Sequence, residues 1–288
     1  MQKPSFGIFD PFIYALKTLL SKFYVTVPFL MVYTILILAI IFMLALLLSS
    51  PYSFTLIGSS CAAFLLLLLS YLIALFIMST IRLIYIYVSL KWYDSGVCTW
   101  RQICSHFNQI PSSLFLTALY LSLIFIIPYS LLLSYMPFYL AQLLLPTIIV
   151  VINIILSLYI THHIYVIFII HYAIDKQYNA KTVWGESKKL INGDNKSKIV
   201  TSYAIIDIIL LSLYIVAIIG VTIVAKNYHT YFCCYNNSIM IILLQGLVTG
   251  LYLATHFIIQ ALATTYMYRS LVPVLPENTE SIHAEVPL

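Results

Sequence analysis

The chain has 288 residues, 62% of them hydrophobic and only 8% charged, with a mean hydropathy of +1.03 and a formal net charge of +5. A soluble globular domain is roughly half apolar and a quarter charged, so this composition excludes that class and points to a membrane protein. The positive excess is spread over short connections and forms no basic stripe, which argues against a nucleic-acid partner.

In chain order, FIYALKTLLSKF (12–23) comes first. Phe12, Leu16, Leu19, Leu20 and Phe23 share one helical face and Lys17, Ser21 and Lys22 the other, as in a helix lying in the membrane interface. Apolar runs long enough to cross about 30 Å of hydrocarbon follow. They occupy residues 24–49, 56–81, 113–134, 140–162, 199–225 and 239–262, six expected spans. The first begins too late and runs too long for a cleavable signal peptide, and is read as a span. The longest polar connection, 173–198, has 26 residues, too few to bury a core of its own. Residues 1–272 therefore read as one membrane domain. The tail 273–288, rich in proline and glutamate, reads as a disordered cytoplasmic extension.

Charge sets the orientation. On this span assignment Lys226 alone of the fourteen basic residues falls on the far side of the membrane. The positive-inside rule makes the populated side cytoplasmic, with both termini there.

TWRQICSHF (99–107) repeats the end of the first amphipathic segment: Leu16, Lys17, Ser21 and Phe23 correspond to Trp100, Arg101, Ser105 and Phe107. TVWGESKKLI (182–191) is a looser copy, with Val183, Trp184, Ser187, Leu190 and Ile191 on one side. Each copy leads into a pair of spans. The expected fold is all-α: a polytopic bundle of six transmembrane helices in three hairpins, each preceded by a cytoplasmic amphipathic helix. All three units enter from the same side, so the repeats are parallel. The returning apolar stretches, 56–90, 140–174 and 239–268, exceed one crossing and continue into the headgroup zone, where tyrosine, tryptophan and basic residues gather.

Polar residues inside the spans are the candidate site. Asp207 lies about 12 Å below the cytoplasmic surface, where an ionised carboxylate is costly and calls for a partner or for protonation. Asn153 and His256 fall at similar depths, so packing of spans four, five and six could bring the three together as a candidate polar cluster. Gly246, Gly250 and Ala254 form a small-residue ridge suited to close helix packing. Pro28, Pro128 and Pro146 are expected to kink their spans. His162, His163 and His171 have no metal-site spacing and read as interfacial residues on an emerging helix. Asp94 and Asp175 read as turn or cap residues. The five cysteines include an adjacent pair, Cys233 and Cys234, without zinc-site company, so no metal and no cofactor is expected. Serine-hydrolase, P-loop, dinucleotide and HExxH motifs are missing from the chain.

The stretch HYAIDKQYNAKTVWGESKKLINGDNKSK carries a family resemblance through Asp175, Lys176, Ala180, Ser187, Lys188, Leu190 and Gly193. It resembles the central motif of the YciC-like six-span bacterial membrane proteins and of the membrane domain fused to some glycerophosphodiester phosphodiesterases. The resemblance, mostly one of layout, implies a bacterial inner-membrane protein and brings no catalytic residues. The chain has no soluble phosphodiesterase domain, so that activity does not transfer. The leading expectation is a non-enzymatic protein that organises lipid or supports membrane partner proteins. A transporter or permease subunit using a protonatable Asp207 is the second. A membrane-embedded lipid-modifying enzyme, its chemistry assembled from His163, Asp207 and His256, is the third.

Overall fold

The computed structural model describes residues 6–49, 57–107, 164–176, 180–191, 194–231 and 237–272. The expected third and fourth spans, with Pro128, Pro146, Asn153, His162 and His163, lie outside the described residues, as do Cys233, Cys234 and the tail from 273.

The described residues form helices and connections, with no strand among them. The helices are α1 (Asp10–Ser21), α2 (Phe23–Ser49), α3 (Ile57–Ser95), α4 (Trp100–Phe107), α5 (Ile164–Lys176), α6 (Ala180–Leu190), α7 (Asp194–Tyr231) and α8 (Asn237–Leu271). Two stretches are long and apolar enough to cross a membrane: Asn195–Val221 of α7 and Leu247–Leu271 of α8. Asp10–Ser21 and Phe23–Leu36 make a third if taken together as one bent span, with a bend of 97°.

α8 is the centre of the packing, touching α1, α2, α3, α5 and α7. Phe257, Ile258, Leu262, Met267 and Tyr268 are all buried in it. α7 is peripheral: Tyr203, Ile206 and Leu210 turn inward, while Ile208, Leu213, Val216 and Ile219 are exposed. A helix apolar on its outer as well as its inner face has a low-energy surrounding only in hydrocarbon.

The sharp change of direction near the N-terminus falls at Lys22, one turn and a half before Pro28, and α2 continues through that proline. α1 closes there because the Thr18 carbonyl accepts both the Lys22 N–H at 2.9 Å and the Ser21 hydroxyl at 3.1 Å. Lys22 then sends Nζ to the Gly96 carbonyl, 2.8 Å away, pinning this break to the end of α3.

α3 runs 39 residues, well past a single crossing, and stops where the chain supplies a left-handed residue: Gly96 has φ +72° and donates its N–H to the Trp92 carbonyl. Thr99 and Gln102 then open α4 with reciprocal bonds, Thr99 N–H to Gln102 Oε1 at 2.9 Å and Gln102 N–H to Thr99 Oγ1 at 3.4 Å. The segment before α1 is docked as well. Phe6 is buried edge-on against Tyr266, and Ser202 donates to the Ile8 carbonyl at 2.8 Å.

Candidate functional site

Two polar clusters hold the bundle together, and both use α8. The first lies within the apolar part of α7 and α8. His256 Nε2 is 2.7 Å from Asp207 Oδ1, and Gln260 Nε2 is 3.1 Å from the same oxygen. One turn separates His256 from Gln260, so one face of α8 presents both donors to a single carboxylate oxygen on α7. Donation to Asp207 places a proton on Nε2 of the imidazole. The other oxygen, Asp207 Oδ2, is buried and makes no hydrogen bond. Towards one end of the cluster, Tyr252 stacks on Tyr214 at 4.4 Å and tilts against the His256 ring at 5.7 Å. Tyr214 bonds Thr249 at 3.1 Å, and Tyr203 bonds Thr264, so hydroxyl pairs extend the α7–α8 seam on both sides.

Asp207 and His256 are therefore in contact, joined by Gln260, which the spacing argument did not include. The signal was present in HFIIQ: positions 256 and 260 are one turn apart on the face opposite Asp207. Asn153 lies outside the described residues. Of the small-residue ridge, Gly250 is buried and Ala254 has no exposed surface. Gly246 lies one turn earlier on the same helix.

The second cluster stands where α3, α5 and α8 end. Arg269 Nη2 is 2.6 Å from Asp94 Oδ2 and 2.7 Å from Asp175 Oδ1, with the arginine side chain only 4% exposed. Tyr268 donates its hydroxyl to Asp175 Oδ2 at 2.9 Å. Tyr14, Tyr93 and Tyr266 pack as an aromatic trio with centroids 5.1 to 6.1 Å apart, bringing α1 to the same place.

The turn or cap reading of Asp94 and Asp175 needs correction. Each occupies the last turn of its helix, where the macrodipole disfavours a carboxylate, and Arg269 supplies the compensating charge. The equivalence of YDS, IDK and YRS at the ends of three returning stretches was a sequence signal for this meeting. His171 also departs from the interfacial reading: it is buried, with Nε2 3.2 Å from Thr265 Oγ1.

No family model, curated protein or solved structure matches this chain.

Among the described residues, no group of three or more His, Cys, Asp or Glu is placed to hold a metal ion. The amphipathic segments divide into two kinds. On α6, Val183 and Ser187 are buried, followed by Ile191 just past the helix end, so that apolar face is spent on the protein. On α1, Pro11, Ala15 and Thr18 face inward, whereas Phe9, Ile13, Leu16 and Leu20 form an exposed apolar line, Leu20 at 69%. Asp10, Lys17 and Ser21 make a third, polar strip.

Proposed function

We propose that this chain is a non-enzymatic multi-pass membrane protein that organises lipid or supports partner proteins. In this reading it has six spans in three hairpins and sits in a bacterial inner membrane with both termini in the cytoplasm. The exposed apolar line on α1 carries the proposal. Phe9, Ile13, Leu16 and Leu20 continue into exposed Phe23 and Tyr24, an apolar surface that water covers poorly and acyl chains cover well. The 97° turn between α1 and α2 suits a helix lying in the interface before one that crosses. A helix with one side on the bundle and another in lipid couples the protein's shape to the surrounding leaflet.

Support for six spans comes from the apolar runs 113–134 and 140–162 and from the one-sided distribution of basic residues. The resemblance to YciC-like proteins is to the same layout and supports the bacterial inner membrane.

Spin labels on the full-length protein in vesicles test the placement. A label at Leu20 is expected to collide with dissolved oxygen, which concentrates in hydrocarbon, and a label at Lys17 with a water-soluble nickel complex. A Leu20 label that meets only the nickel complex overturns the reading.

One observation favours a second reading, a transporter or permease subunit. Asp207 joins the two most clearly span-like helices and keeps one oxygen buried and unbonded. Intramembrane carboxylates commonly mark transport paths. Cells deleted for this protein and supplied with Asp207→Asn distinguish the readings: full complementation removes the transport role, and loss of function with normal protein levels supports it.

A further inference from the structure

α1 does not lie alone on its side of the bundle. The Lys22–Gly96 bond brings the α1–α2 break to the turn between α3 and α4, so that two exposed apolar surfaces lie on either side of one side-chain bridge. One is the end of the α1 line, Leu20, Phe23 and Tyr24. The other is Val97 and Trp100, the tryptophan 70% exposed although Ile103, three residues on, is buried. α4 thus turns its smaller apolar residue inward and leaves its largest outside, an expensive arrangement in water.

The exposed charges closest to this corner are cations. Lys17 and Arg101 are exposed and take part in no ion pair among the described residues. Of the acids on these elements, Asp94 turns to Arg269, and Asp10 sits at the opposite end of α1, where it accepts the Gly7 N–H. Exposed aromatic side chains interleaved with free cations are what the headgroup level of an anionic leaflet accommodates. The rings settle among glycerol and upper acyl groups, and the cations meet phosphate.

We infer that the corner formed by α1 and the α3–α4 turn binds the headgroups of anionic phospholipids, with Lys17 and Arg101 meeting phosphate and Trp100 seated beside them in the leaflet. The inference rests on α1 being interfacial and adds a lipid class to that reading. Selectivity for negative headgroups would let the protein gather such lipids around one edge of the bundle.

The test uses full-length protein with Trp92→Phe and Trp184→Phe, which leaves Trp100 as the one tryptophan of three. It is reconstituted in vesicles where either the phosphatidylglycerol or the phosphatidylcholine is brominated high on its acyl chains, at equal mole fraction. The expected result is stronger quenching by the brominated anionic lipid, its advantage falling about fivefold for each charge removed in Lys17→Gln and Arg101→Gln. Equal quenching by both lipids overturns the headgroup selectivity and leaves α1 in the interface. No quenching by either overturns this inference, and the Leu20 label then shows separately whether α1 lies in the interface. If the tryptophan variants do not fold, lipid retained by wild-type protein in mild detergent decides: enrichment of phosphatidylglycerol that is lost in Lys17→Gln/Arg101→Gln supports the inference, and retention without headgroup preference overturns it.

Discussion

Arg269 and Asp94 lie 175 residues apart in the chain and 2.6 Å apart in space, joining the last turns of α8 and α3, and the same guanidinium nitrogen also holds Asp175 of α5. One nitrogen thus serves two carboxylates from two helices. Arg269 Nε is buried without a hydrogen-bond partner, so the interaction is concentrated on one edge of the guanidinium.

Removing that arginine leaves two carboxylates facing each other. Arg269→Met is expected to lower stability by about 3 to 5 kcal/mol, the usual penalty for breaking a buried ion pair from one side. Asp94→Asn/Asp175→Asn in the Arg269→Met background should recover part of the loss, because the repulsion disappears with the charges. Thermal unfolding in detergent measures both, and no recovery in the triple variant would show that the arginine acts through packing.

His256→Ala deletes one of two donors to Asp207 Oδ1. The expected loss is about 1 to 3 kcal/mol, the cost of leaving a buried acceptor under-satisfied. In a double-mutant cycle with Asp207→Asn the two losses should be far from additive, since both act on one bond. Additive losses would mean that the residues contribute independently.

Ala254 is fully buried on α8. Ala254→Leu adds three heavy atoms at a position with no exposed surface and should destabilise by about 1 to 3 kcal/mol. An unchanged unfolding midpoint would show that the neighbouring helices give way freely there.

Burial pushes the Cys98 thiol above its ordinary range, with Lys91 acting weakly against it. Thiolate is the reactive form, so a raised pKa leaves less of it at neutral pH. Alkylation of Cys98 by iodoacetamide should therefore be slower than that of a free cysteine peptide at pH 7.5 and should go on rising with pH after the peptide has levelled off. Mass spectrometry of the Cys98 peptide follows it, and a rate parallel to the peptide's at every pH would contradict the burial effect.

Glu186 and Lys189 form an exposed pair at 2.7 Å on α6. Solvent screens such a pair, so Glu186→Gln should leave the unfolding midpoint unchanged. A measurable drop would place this pair in a contact beyond α6.

Much of the local structure was legible in the chain alone. Apolar runs the length of a crossing mark α2, α7 and α8, and a three-to-four residue alternation marks α1, α4 and α6, because helix period and membrane thickness act on neighbouring residues. The stop of α3 at Gly96 and the start of α4 at Thr99 were readable too, since a left-handed glycine and a capping pair need only a few adjacent residues. Asp207 stood out because a charge inside an apolar run is conspicuous.

What met Asp207 and Arg269, and that Trp100 stayed exposed, was decided only by tertiary structure. Gln260 joins His256 on Asp207, Arg269 gathers Asp94 and Asp175, and the α1 apolar line stays outside while that of α6 turns inward. Such choices depend on which faces of distant helices approach one another. Periodicity specifies that a helix has an apolar face, but protein and lipid both satisfy that face, and only the packing of the whole bundle determines which one covers it.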